Sequence, residues 1–155
     1  MQDRSRPELI GELITRYRIA ANHDVAFDKL AAARLGVSVT DLHCLNIVQS
    51  RGGVTAGELA AQSGLSTGAV TAVIDRLERA GFARRVRDEH DRRKVFVEVT
   101  PAFYARADKI WGPAAADWQR TLDDRFSDAE LATIVAFLTQ VEELGERHAE
   151  RLAAG

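Results

Sequence analysis

Residues 58–78 read Glu58-Leu59-Ala60-Ala61-Gln62-Ser63-Gly64-Leu65-Ser66-Thr67-Gly68-Ala69-Val70-Thr71-Ala72-Val73-Ile74-Asp75-Arg76-Leu77-Glu78. Two short segments of helical period flank Gln62-Ser63-Gly64-Leu65, with Gly64 where a tight turn needs a positive φ. Leu59, Leu65, Val70 and Val73 form the inward face, and Ala60 is small where the second helix crosses. This spacing predicts a helix-turn-helix. Ser66 is placed to cap the second helix, with Leu65 and Val70 as its hydrophobic staple, and Gly81 ends it. After the cap come Thr67, Gly68, Ala69, Thr71 and Ala72. These side chains are short and uncharged, so the helix end can enter a major groove deeply. There, threonine hydroxyls and methyl groups meet base edges or phosphates. A helical hairpin with no role on DNA is the competing reading of this segment alone.

Working outward, the period changes after Gly81. Residues 83–87 and 95–99 read as strands, the second alternating cleanly, and the polar link 88–93 reads as an exposed, flexible hairpin tip. A helix-turn-helix followed by a basic hairpin is a winged helix. Six basic and three acidic residues fall between Arg84 and Lys94. Arg84, Arg85, Arg87, Arg92 and Lys94 are candidates for phosphate contacts, the alternative being a solvated, charged hairpin. Spacing forbids pairing of Arg76 with Glu78, whereas Asp75 and Glu78 suit Arg79, so Arg76 reads as the freer cation.

Upstream, Thr55-Ala56-Gly57-Glu58 is a capping box, with Val54 and Leu59 as staple. Thr40 is read as the cap of a preceding helix, with Val39 and Cys44 as its staple. Ser5-Arg6-Pro7 opens a long first helix that stops at Gly36. Downstream, Thr100-Pro101 opens another long helix, in which Gly112-Pro113 predicts a kink or break. Ser127-Asp128-Ala129-Glu130 is a capping box for the last helix, with Phe126 and Leu131 as staple and an apolar stripe of Leu131, Ile134, Val135, Leu138, Val141 and Leu144.

Asp91-Arg92-Arg93, followed by Val97-Glu98-Val99-Thr100, resembles the wing signature of the MarR family, the multiple-antibiotic-resistance regulators. The run from Ala69 to Phe82 resembles that family's recognition helix and its exit into the wing. The resemblance covers essentially the whole chain; Gly68, which lowers helix propensity in the first turn, is a minor departure. It implies a mainly α fold with a small β-hairpin: a winged helix-turn-helix at 37–100 and dimerisation helices at 1–36 and 101–155, in one domain over 1–155. It implies a triangular homodimer with interleaved terminal helices. It also implies that Arg93 enters the minor groove while Asp91 braces the wing. An arginine in a narrow A·T-rich minor groove gains from the enhanced negative potential there.

Composition sets the outer limits. The chain has 155 residues, 46% hydrophobic and 28% charged, with net charge −2. One globular domain follows, and disordered and membrane classes are excluded. The charge is uneven: residues 51–100 carry net +2 and residues 101–155 net −4. A local basic stripe can bind phosphate on an otherwise acidic protein. The single cysteine, Cys44, permits no internal disulfide, and the charged N-terminus has no signal-like apolar region, so a cytoplasmic location is expected. Cys44 reads as a buried structural thiol; redox sensing is the alternative. No metal or cofactor is expected, because His23, His43, Cys44, His90 and His148 lack ligand spacing. Trp111 and Trp118 lie two turns apart on one helix face. They serve core or dimer packing, or they wall a small-molecule effector pocket where the first, second and fifth helices meet. Tyr17, His43 and Trp111 are the candidates for such a pocket.

The expected function is therefore a ligand-responsive repressor. It would bind double-stranded DNA as a homodimer on a pseudo-palindromic operator, with no enzymatic activity and no membrane partner. Ser66, Thr67, Gly68, Ala69, Thr71, Ala72, Arg76, Arg84, Arg92, Arg93 and Lys94 are the expected contacts, with Asp91 as wing support. The alternatives are a small helical enzyme using His43 or Cys44, which no catalytic motif supports, and a dimeric interaction module without a DNA role.

Overall fold

The computed structural model describes residues 4–88, 91 and 93–154. Six helices and three short strands follow in the order α1 (Arg6–Leu35), α2 (Val39–Arg51), β1 (Val54–Thr55), α3 (Ala56–Ser63), α4 (Thr67–Arg79), β2 (Ala83–Arg87), β3 (Val95–Val99), α5 (Pro101–Arg125) and α6 (Asp128–Ala154). The chain divides into two compact units, the first ending at Ile110 and the second beginning at Trp111. No helix among the described residues is long and apolar enough to cross a membrane.

The caps explain most boundaries. Ser5, Thr55 and Ser127 each donate their backbone N–H to the glutamate three residues on, at 2.7–2.8 Å. Gly36 closes α1 at φ 74°, satisfying the last carbonyls through a conformation that a Cβ would disfavour. The cap of α2 differs from the sequence expectation. It is Ser38, not Thr40: the Ser38 Oγ accepts the Asp41 N–H at 3.0 Å, and the Asp41 carboxylate accepts the Ser38 N–H at 3.2 Å. Thr40 lies inside the first turn. A serine with an acid three residues ahead satisfies two free N–H groups at once, and Thr40 has no such partner. Helix α5 runs unbroken through Pro113, so no break forms there. Proline's fixed φ is itself helical, and the loss of one hydrogen bond does not end a 25-residue helix.

The core of the first unit is apolar and local to the middle of the chain. Leu42, Leu45, Val48, Leu59, Val70, Val73, Ile74, Leu77, Phe82, Val97 and Phe103 are all buried. Leu65 and Ala60 are only half-buried. The expected hairpin is the larger part of a three-stranded antiparallel sheet in the order β1-β3-β2. Val54 pairs with Val97 and Thr55 with Phe96, an edge pairing too short to show in sequence. In the hairpin Arg84 faces Glu98 and Arg85 faces Val97. Thr100 then ties the entry of α5 to the exit of α4. Its N–H donates to the Phe82 carbonyl at 3.0 Å, its hydroxyl donates to Gly81 O at 2.6 Å, and its oxygen accepts the Phe103 N–H at 3.3 Å. The Phe82 and Phe103 rings meet edge to face at 5.7 Å, and the Arg106 guanidinium lies 5.6 Å from the Phe82 centroid.

Candidate nucleic-acid interface

Helix α4 is strongly two-sided. Val70, Val73, Ile74 and Leu77 are buried, which turns Ser66, Thr67, Gly68, Thr71 and Ala72 to the surface, with Ala69 half-buried. Ser66 Oγ accepts the Ala69 N–H at 3.3 Å, which fixes the helix start. The Thr71 hydroxyl donates to the Thr67 carbonyl at 3.0 Å. That bond uses its one proton, so Thr71 offers an outward methyl group and free oxygen lone pairs. The first turn holds no acidic residue, leaving the positive end of the helix dipole uncompensated.

The basic residues sort into engaged and available. Arg76 is not the freer cation: it donates to Asp41 through Nη2 at 2.6 Å and through Nε at 3.2 and 3.3 Å. Asp75 and Glu78 pair with Arg85 of β2 instead of Arg79. Arg85 Nη2 lies 2.7 Å from Asp75 Oδ1, its Nη1 donates to Glu78, and its backbone N–H donates to Glu78 Oε1 at 3.0 Å. Arg79 Nε donates to the Asp75 carbonyl at 3.2 Å. Arg84 pairs with Glu98 directly across the ladder at 2.9 Å.

In the wing, the Arg93 side chain is 94% exposed, and among the described residues its ion-pair contact is Asp91 at 3.5 Å. Asp91 Oδ1 also accepts the Arg93 N–H at 3.1 Å, and its own N–H donates to Asp88 Oδ1 at 2.6 Å. The Lys94 N–H donates to the Asp91 carbonyl at 2.8 Å, and the Asp88 N–H to the Lys94 carbonyl at 3.0 Å. Asp91 thus shapes the turn that carries Arg93. Arg87 and Lys94 are exposed, and neither forms an ion pair among the described residues. Arg92 and His90 lie outside the described residues.

Tyr17 and His43 are exposed on α1 and α2, and Trp111 is half-buried at the start of the second unit. An open groove of about 460 Å³ in the first unit is lined by Phe27, Leu30, Ala31, Ala33, Arg34 and Ile110, and includes none of the three. Cys44 is fully buried, and burial together with the nearby Asp41 charge pushes its thiol above the ordinary value. This is a poor setting for a thiolate. No group of three metal-ligating side chains occurs among the described residues. Sequence reasoning missed Asp41, a buried carboxylate. The signal was available in Ser38-Val39-Thr40-Asp41, which is itself a capping box.

Comparison with known proteins agrees with this architecture. The MarR family model matches residues 37–95. Over 150 residues the chain is 35% identical to the uncharacterized HTH-type transcriptional regulator YcgE of Bacillus subtilis, covering 96% of each chain. Among solved structures, a MarR family protein from Bacillus stearothermophilus superposes with TM-score 0.66 at 22% identity, covering 92% of this chain and 99% of that one. A mutant of S. aureus MepR bound to oligodeoxyribonucleotide superposes with TM-score 0.55 at 17% identity, covering 84% and 96%. The helix-turn-helix, the wing and the 35% identity to YcgE over nearly the full length together place the chain in the MarR family.

Proposed function

We propose that this chain is a sequence-specific, double-stranded DNA-binding transcription regulator that acts as a homodimer. The observation that carries this reading is the surface of α4. Its small-residue face of Ser66, Thr67, Gly68, Thr71 and Ala72 is exposed at a capped helix start, and among the described residues the wing's Arg87 and Lys94 form no ion pair and Arg93 has only the 3.5 Å contact to Asp91. Small residues permit close approach to base edges, while the exposed cations of the wing supply charge for phosphate and minor groove. The MepR structure with bound oligodeoxyribonucleotide shows that this fold accommodates DNA in a relative. Two copies would address half-sites about 10 bp apart. Repression follows if the dimer covers a promoter, and a small-molecule effector would act by altering the spacing of the two α4 helices.

A mobility shift on the DNA upstream of its own coding sequence, run across a salt series, tests the reading. Binding should fall steeply with salt and resist a random competitor. No shift on any duplex at micromolar protein would leave an interaction module as the better account.

A further inference from the structure

Asp41 is the one buried polar or charged residue among the described residues, 3% exposed. Its carboxylate serves two partners. It closes the cap of α2 by accepting the Ser38 N–H, and it receives the Arg76 guanidinium through Nη2 at 2.6 Å and Nε at 3.2 Å. One carboxylate therefore joins the first turn of α2 to the last turns of α4. Burial pushes this carboxyl up, but the hydrogen bonds from Arg76 and Ser38 and the Arg76 charge outweigh it and hold it below the ordinary value. The pair is charged on both sides: removing Arg76 leaves a buried carboxylate without its cation, whereas Arg76, with its side chain 45% exposed, stays solvated when Asp41 is removed. A second clamp, Arg85 on Asp75 and Glu78, holds the same helix to the wing strand.

We propose that Asp41 is a positioning residue for sequence readout, and that Arg76 serves as its anchor on α4 instead of as a phosphate contact. This rests on the reading of α4 as the helix that addresses DNA. Base-edge hydrogen bonds tolerate displacements of only about 0.5 Å, whereas attraction to phosphate depends weakly on orientation. Loosening the Asp41–Arg76 tie should therefore weaken sequence-specific binding and spare binding to random duplex.

The full-length chain, Asp41→Asn, Arg76→Gln and the double variant are compared. The probes are a duplex enriched from a random-sequence pool by the unaltered chain and a scrambled duplex. Asn keeps an oxygen for the Ser38 N–H, so the α2 cap and the fold survive. Amide hydrogen exchange in α4, measured without DNA, reads the mechanical tie directly. Each single variant should speed exchange in α4 and weaken binding to the enriched duplex by on the order of tenfold. The double variant should be no worse than either single, the scrambled duplex should be bound as before, and the salt slope should stay unchanged. Three results would overturn the assignment. One is unaltered α4 exchange in Asp41→Asn. Another is unaltered affinity of Asp41→Asn for the enriched duplex. The third is a salt slope lowered by about one in Arg76→Gln, which would make Arg76 a phosphate contact. If the unaltered chain enriches no duplex, the DNA-binding reading itself fails, and readout by α4 fails with it.

Discussion

Thr71 and Arg93 represent two kinds of contact, and single substitutions separate them. Thr71 is exposed and its hydroxyl donates back to Thr67, so Thr71→Ala leaves the inward packing untouched. Folding stability should change by well under about 1 kcal/mol. Affinity for an operator should fall while affinity for random duplex holds; equal losses on both would restrict Thr71 to the DNA backbone. Arg93→Ala should cost on the order of 1–3 kcal/mol of operator binding, because its side chain is almost wholly exposed and aimed by Asp91. Lys94→Ala should cost less and lower the salt slope by about one. If Arg93→Ala binds the operator as tightly as the parent, the minor-groove role is wrong. Asp41 makes a prediction about pH. Its carboxyl is depressed in the native state, so the pair's contribution is complete above the ordinary Asp value near about 3.9 and lost as pH falls through the lower native value. Asp41→Asn should therefore be less stable than the parent by about 1–3 kcal/mol near neutrality, with the gap closing on acidification. Denaturant melts from pH about 6 down to about 2 read this, and a constant gap would detach the effect from the charge.

At the level of elements, the winged unit is stitched where one element ends and the next begins. Ser66 starts α4, Thr100 binds the Gly81 and Phe82 carbonyls at its exit, and Arg85 pins the wing strand to Asp75 and Glu78. Ser66→Ala removes a cap worth about 1 kcal/mol, so thermal stability and operator binding should fall together. A variant that loses binding with an unchanged melting temperature would mean that Ser66 touches DNA and contributes little as a cap.

For the whole molecule, the notable feature is apolar surface left open on the terminal helices. On α1 only Ala31, Ala32 and Leu35 are buried, while Leu9, Ile10, Leu13, Ile14 and Tyr17 stand exposed. On α6, Val135, Leu138 and Leu144 are exposed, and Leu131, Ile134 and Val141 are half-buried. Open apolar faces like these, each taken within its own unit, are what interaction surfaces present. A second copy is the occupant that the operator reading requires. Sedimentation at micromolar concentration should give twice the monomer mass, and Leu138→Glu combined with Ile10→Glu should shift it towards monomer. A clean monomer for the unaltered chain would remove both the dimer and the paired half-sites.

What could be read from the chain alone was what neighbours in sequence decide. The helix start at Ser5-Arg6-Pro7, the capping boxes at Thr55 and Ser127, the positive-φ stops at Gly36 and Gly81, the inward face of α4 and the alternation of 95–99 all rest on neighbours within a few residues. The small-residue face of α4 was legible for the same reason, and the wing motif through its resemblance to the MarR family. Even a local reading can be outbid: Ser38 displaced Thr40 because Asp41 returned its hydrogen bond. The partners of Arg76, Arg84 and Arg85 and the pairing of Val54 with Val97 join residues 7 to 43 positions apart. Charge patterning names the candidates for such pairs without ranking them, because an ion pair forms only where two backbones come close enough to align donor and acceptor. Helix crossing and strand register decide that, and both are properties of the packed core: Asp41 meets Arg76 because Leu42, Leu45, Val73 and Leu77 are buried in the same core.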